Sequence, residues 1–129
     1  MAFNSKDYRN VNDELREFSG TSQYHYMEPY TYITYTDGVK HLAKEYHCYW
    51  LLANILVYSN AQEIGANADF RVWKLVRVFK NEQRTRDFNL TCEDGRGNVL
   101  YTKLIASDFV GDEVKMYLSN NILLLPSEY

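Results

Sequence analysis

The sequence has few of the residues that mark a disulfide-stapled, fibrous or membrane-spanning protein. Its 129 residues include two cysteines, two prolines and six glycines, which excludes a disulfide framework and a collagen-like repeat. The longest apolar stretch, residues 49–58, is interrupted by Asn54 and has half the length that crosses a bilayer. No membrane span is therefore expected.

The first residues and the two cysteines point to the same compartment. Residues 1–7 contain no apolar h-region, so we expect no secretory signal and a cytoplasmic protein. A domain of this size in a reducing cytosol needs no disulfide. Cys48 and Cys92 are therefore predicted to be free, buried thiols.

Residues that commonly carry chemistry are also sparse. His41 and His47 are six positions apart, which places them on different sides of a helix, and no cysteine pair has zinc-site spacing. The sequence lacks a Gly-x-Ser-x-Gly elbow, and its glycine-rich loop, residues 94–98, opens no helix and lacks the ligand pattern of a calcium loop. We therefore expect neither a metal nor a cofactor, and no enzyme active site.

The hydrophobic pattern favours a single α+β domain over residues 1–129. Residues 10–18, 36–46, 49–58 and 107–121 are predicted to form helices, and Thr36 or Asp37 caps the second of them. Residues 70–79, 88–93 and 99–105 alternate as strands, and residues 122–125 form a short fourth strand. The expected fold is a small antiparallel sheet, made of a three-stranded meander and this C-terminal strand, packed against about four helices. Residues 59–69 form the main linker, and a Tyr-rich segment, residues 1–35, precedes a core of residues 36–129.

The charge of the chain is unevenly distributed. The formal net charge is −3, which is unlike that of a typical nucleic-acid-binding protein. Between Arg71 and Arg86, however, six basic residues accompany one acid, Glu82, a balance of +5 that leaves 8 bases and 16 acids elsewhere. This basic segment, which contains Trp73, supplies the candidate residues for binding a nucleic acid or a partner: Arg71, Trp73, Arg77, Lys80, Arg84 and Arg86.

Two interpretations of this basic segment remain open. Period-two alternation puts Arg71, Trp73 and Arg77 on one strand face, and guanidinium groups beside aromatic rings suit single-stranded RNA. Alternatively, the apolar members of that face fill the core, and the arginines extend from the edges of the sheet into water.

Tyrosine is the most abundant aromatic residue, with twelve copies, and five of them lie between residues 24 and 35. Tyrosine is favoured at protein interfaces because it combines a large apolar area with a hydroxyl group. A small core could also use tyrosines at its solvated margins. The candidate interface residues are Tyr24, Tyr26, Tyr30, Tyr32 and Tyr35, which surround Pro29 in two extended pieces.

Several blocks carry a resemblance to a known family. These blocks resemble an uncharacterised family of small bacterial proteins, a domain of unknown function: residues 36–43 (TDGVKxLA), 48–52 (CYWLL), 70–75 (FxVWKL) and 92–95 (CEDG), and in the tail residues 107–109, 113–118 and 123–129. The resemblance covers about residues 35–129. It implies cargo of mobile elements such as phages and plasmids, whose small accessory proteins often antagonise host defence.

Three hypotheses follow. The first is a non-enzymatic inhibitor of host defence, such as an anti-CRISPR protein, whose partner is a host protein or ribonucleoprotein, for example a CRISPR nuclease with its guide RNA. The second is a nucleic-acid-binding accessory module, and the third is a small enzyme that uses Cys48 or Cys92 with a histidine. An exposed strand or the Tyr-rich edge would also allow a homodimer.

Overall fold

A computed structural model describes residues 7–61 and 70–129, which form one mixed sheet and its covering helices. The helices are α1 (Asp7–Leu15), α2 (Asp37–Glu45) and α3 (Tyr49–Ala61), and a 3-10 turn spans Pro126–Glu128. The strands are β1 (Tyr24–Met27), β2 (Tyr30–Thr36), β3 (Arg71–Lys80), β4 (Gln83–Glu93), β5 (Val99–Ala106), β6 (Glu113–Ser119) and β7 (Ile122–Leu124).

The seven strands lie in the order β1-β2-β7-β6-β3-β4-β5. The pair β2–β7 is parallel and the other neighbours are antiparallel. The expected small antiparallel sheet with about four helices is therefore wrong. The meander β3-β4-β5 is present, but it is part of a larger mixed sheet, and the described residues form three α-helices.

The helix expected over residues 107–121 is the clearest error, because this segment contains strand β6. Val114, Met116 and Leu118 are buried, whereas Glu113 and Lys115 are exposed, which is the alternation of a half-buried strand. Residues 120 and 121, both asparagines, lie at the end of this expected helix. They adopt positive φ values of 52° and 64° and instead form the tight turn between β6 and β7.

The N-terminal elements agree better with the sequence. The extended pieces on either side of Pro29 are β1 and β2, and β1 is an edge strand. Thr36 is the N-cap of α2, because its hydroxyl oxygen accepts a hydrogen bond from the backbone N–H of Val39 at 3.4 Å. The N-terminal helix begins three residues earlier than expected and ends at Leu15.

The core lies between one face of the sheet and the helices. Buried side chains of β3, β4 and β6, among them Trp73, Leu90 and Met116, meet the buried residues of α2 and α3. Helix α3, apolar nearly all round, extends the expected helix of residues 49–58 to Ala61. Most of the expected linker, residues 62–69, lies outside the described residues.

Along each strand, every second side chain points away from this core. These side chains form the other face of the sheet, which we call the open face. No helix packs on its centre in the described part of the chain, and residues such as Val76, Asn89 and Leu104 are exposed there. No described helix has the length and apolar character needed to cross a bilayer.

Candidate interaction surface

The tyrosines expected to form an interface divide between the open face and the core. Tyr24, Tyr26 and Tyr32 are 57%, 59% and 39% exposed, and alternation places them on the open face. We call these three residues the tyrosine edge. Tyr35 is buried on the helix-covered side beside His25, and Tyr30 is half-buried against the core.

A second aromatic group lies on the same face. The rings of Phe70, Tyr117 and Tyr129 contact one another, with centroid separations of 4.7 Å for Phe70–Tyr117 and 5.4 Å for the two pairs with Tyr129. We call these residues the aromatic cluster. Sequence reasoning missed it, because its members are far apart in the chain and meet only when β6 pairs with β3.

A shallow groove connects the tyrosine edge to the aromatic cluster. Tyr24 lines one side and Tyr129 the other, and Ile122 and Leu124 of β7 lie between them. Polar residues, among them Thr21, Asn120 and Glu128, line the same groove beside the apolar side chains and phenol rings. Such a surface, which mixes apolar side chains, phenol rings and polar groups, suits contact with another protein.

The basic segment does not form a single exposed surface. Trp73 is completely buried and Arg77 is 3% exposed, so neither side chain can reach an external ligand. Arg77 donates hydrogen bonds to Asp112 (2.9 Å) and to the backbone oxygens of Thr85, Phe109 and Gly111 (2.5–3.1 Å). Its role is therefore to hold the segment before β6 against the β3–β4 hairpin.

The other basic side chains lie apart. Arg84 forms a bidentate pair with the Asp112 carboxylate, at 3.0 and 2.9 Å. Arg71 is half-buried and donates to the Phe70 carbonyl at 3.0 Å, whereas Lys80 and Arg86 are exposed near the β3–β4 turn. Of the predicted set, Lys80 and Arg86 are thus the exposed residues that form no ion pair with another described residue.

Two histidines of the described chain pair with carboxylates at helix α2. His25 of β1 lies 2.8 Å from Asp37, and His41 lies 2.9 Å from Glu14 of α1, which also accepts a hydrogen bond from the Tyr46 hydroxyl. The His25 contact and the Ser22 N–H lower the pKa of Asp37 to about 2. The contacts with Tyr46 and His41 lower the pKa of Glu14. These pairs join α1 and β1 to α2, and within the described residues no three potential ligands meet as a metal site.

The cysteines are free and buried, as the sequence predicts. Burial raises the pKa of both Cys48 and Cys92 to about 12. At neutral pH each thiol is therefore protonated. A protonated, inaccessible thiol is a poor nucleophile.

Comparisons with known proteins add one finding. No curated protein and no solved structure matches the chain. The model of a family of unknown function, DUF6876, matches residues 9–129, a range that includes the tyrosine edge and the aromatic cluster. The chain therefore belongs to this family of unknown function.

Proposed function

We propose that the protein is a non-enzymatic binding protein that contacts a partner protein through the tyrosine edge. The observation that carries the proposal is the exposure of Tyr24, Tyr26 and Tyr32 on one face of an edge hairpin. Tyrosine has few rotatable bonds, so ordering it at an interface costs little conformational entropy for the area it contributes. The groove toward Tyr129 extends this surface across β7.

The placement of the basic residues favours a protein partner over a nucleic acid. Trp73 and Arg77, which would stack on bases and contact phosphates, belong to the core. Arg84 is engaged with Asp112, and Lys80 and Arg86 are the remaining exposed cations of the set. Lys80 and Arg86 are two exposed cations of this segment, and on a chain of net charge −3 they give weak attraction to a polyanion.

The specific form of the proposal is an inhibitor of host defence carried by a phage or another mobile element. Its sharpest version is an anti-CRISPR protein that binds an RNA-guided nuclease. The mobile-element setting is what the sequence resemblance implies, and one observation is consistent with this form of the proposal: 16 acids stand against 8 bases outside the segment from Arg71 to Arg86. An acidic surface can occupy the basic channel in which a nuclease holds nucleic acid.

The test measures binding and inhibition with the same variants. The purified protein is titrated into a guide-loaded CRISPR nuclease of a bacterium that carries the gene, and target cleavage and complex formation are followed. The triple variant Y24S/Y26S/Y32S should weaken binding at least tenfold, since truncating one central interface tyrosine typically costs more than about 1 kcal/mol. Tyr49→Ser is the matched control, because Tyr49 is also a partly exposed tyrosine but lies at the start of α3.

The outcomes separate the hypotheses. Protection of the target by the wild type and by Tyr49→Ser, with loss in the triple variant, supports the proposal. Absence of both binding and protection across the CRISPR nucleases of the host refutes the anti-CRISPR form of the proposal. Binding of free RNA that disappears in the variant K80E/R86E would instead support the nucleic-acid-binding module.

A further inference from the structure

Strand β5 is an unpaired edge of unusual exposure. It is eight residues long, twice the length of the opposite edge strand β1, and no described strand lies beyond it. Leu104 is 64% exposed, and Val99 and Leu100 are also exposed. Native proteins normally shorten, charge or cover such an edge, because its free backbone groups pair readily with another strand.

The hydrogen-bond pattern shows which backbone groups of β5 face outward. The N–H of Ser107 donates to the Arg86 oxygen at 2.8 Å, which makes this a hydrogen-bonded pair of the β4–β5 ladder. Such pairs recur every second residue, so the backbone N–H and C=O of Lys103 bond to β4. The backbone N–H and C=O of Thr102 and Leu104 point away from the sheet. A bulge on β5 ends the regular register near Leu100.

The side chains around Thr102 are arranged so that the strand complements itself. In an antiparallel pair of two β5 strands centred on Thr102, Leu100 lies opposite Leu104 on the open face and Tyr101 lies opposite Lys103 on the other face. A pair centred on Lys103 would place two ammonium groups directly opposite each other, which is unfavourable. The Thr102-centred pair covers the apolar side chains and separates the charges.

We propose that two copies of the chain associate through β5, with Thr102 on the two-fold axis. The interface is isologous, so the same strand supplies both halves and the assembly closes as a dimer. The two-fold axis is perpendicular to the joined sheet, and both open faces therefore point the same way. This inference does not depend on the proposed function.

Helix α3 adds apolar surface beside the paired strands. A groove between α3 and β5 is lined by Val57 and Tyr58 on the helix and by Tyr101 and Lys103 on the strand, and Val57 is exposed. The Lys103 ammonium group donates a hydrogen bond to the Asn54 side-chain oxygen at 2.9 Å. This bond keeps the positive charge beside Asn54, to one side of the groove. A second copy would bring its own Val57 toward this groove and extend the contact beyond the backbone ladder.

The first test is the mass in solution of the full chain, by light scattering over a range of concentrations. The wild type should reach twice 15.2 kDa. Leu104→Lys should weaken the dimer on the order of a hundredfold, because symmetry removes two buried leucine contacts at once. Val76→Lys is the matched control: it also places a lysine on the open face, but on β3, away from the edge.

The second test examines the register. Thr102→Cys should crosslink two chains with a short bis-thiosulfonate reagent, whereas Asn89→Cys, exposed on β4, should not, since three strand spacings of about 4.8 Å separate its two copies. A wild type that stays monomeric at every concentration overturns the proposal. So does a dimer that persists in Leu104→Lys, or crosslinking at Leu104→Cys without crosslinking at Thr102→Cys.

Discussion

The contact between the C-terminal turn and the start of α2 makes Gly38→Ala a sensitive test of the packing. A Cβ atom at Gly38 would lie 2.6 Å from Leu125 Cδ1 and 2.7 Å from Glu128 Oε1. These distances are far inside van der Waals contact. Both atoms are ends of side chains, so either the Leu125 and Glu128 side chains rotate away and give up their present contacts, or the turn formed by Pro126–Glu128 moves away from the helix.

The cost follows from the bonds that hold this turn. The Glu128 carboxylate accepts hydrogen bonds from the Thr36 hydroxyl (2.5 Å), the Gly38 N–H (3.1 Å) and the Leu125 N–H (3.0 Å). It also lies at the positive end of the α2 dipole. Hydrogen bonds to a charged group contribute about 1.5–3 kcal/mol each, whereas alanine gains at most about 1 kcal/mol of helix propensity over glycine.

We therefore expect Gly38→Ala to lower the free energy of unfolding by about 2–4 kcal/mol, because part of this bonding is lost. The melting temperature should fall by roughly 6–14 °C for a chain of this length. Circular dichroism during thermal and urea unfolding measures both quantities. Gly20→Ala is the control, since a Cβ atom at Gly20 would have no non-neighbouring residue within 4 Å, and its effect should stay within about 0.5 kcal/mol.

A double-mutant cycle with Glu128→Ala identifies the cause. In the wild type this substitution should cost about as much as Gly38→Ala, because it removes the same bonds. In the Gly38→Ala background it should cost little, since those bonds are already broken. A Gly38→Ala protein as stable as the wild type, or two substitutions whose effects add fully, would refute the account of this contact.

Three further predictions concern buried or paired polar groups. Arg77→Met should lower the free energy of unfolding by about 3 kcal/mol or more in urea titrations, because it leaves buried backbone carbonyls without a hydrogen bond. The control Lys80→Ala should change the free energy of unfolding by less than about 0.5 kcal/mol. The pKa of Asp37 in the folded protein is about 2, below its ordinary value of 3.8. The carboxylate therefore stabilises the fold above pH 3.8, and this contribution disappears as the pH falls toward 2. Asp37→Asn should make the free energy of unfolding depend less on pH over that interval, and an unchanged pH dependence would contradict the pairing with His25. Native protein should resist thiol alkylation at pH 8, because burial raises the pKa of Cys48 and Cys92 to about 12, and both should react after unfolding; rapid reaction of either thiol in the native state would revive the cysteine-enzyme hypothesis.

The elements that could be predicted from the sequence are those whose signals are local. The Thr36 cap, the apolar helix α3 and the alternation of β3 depend on neighbouring residues, and the structure confirms each of them. Residues 107–121 carried conflicting local signals. Phe109, Val114 and Leu118 suit one side of a helix, and asparagines with positive φ serve a helix end as well as a hairpin turn.

The parts that could not be predicted depend on contacts between distant residues. The parallel pairing of β2 with β7 joins Tyr35 to Leu123, and no local pattern specifies it. The sequence placed Trp73 and Arg77 on the same strand face, but which face is covered depends on where α2 and α3 pack. Burial of Arg77 further requires the oxygens of Phe109 and Gly111, more than thirty residues away.

The abundance of tyrosine now has two separate physical explanations. Some tyrosines fill half-buried positions: Tyr58 of α3, Tyr101 of the edge strand β5 and Tyr117 of the central strand β6 each contact other aromatic rings. Tyrosine suits them because its ring is apolar and its hydroxyl reaches water. This explanation does not apply to Tyr24 and Tyr26, which project from the four-residue edge strand β1 and are more than half exposed. An exposed ring at the edge of the sheet contributes nothing to the core. The exposure of these two tyrosines, and not the total of twelve, is therefore the feature that a binding partner would account for.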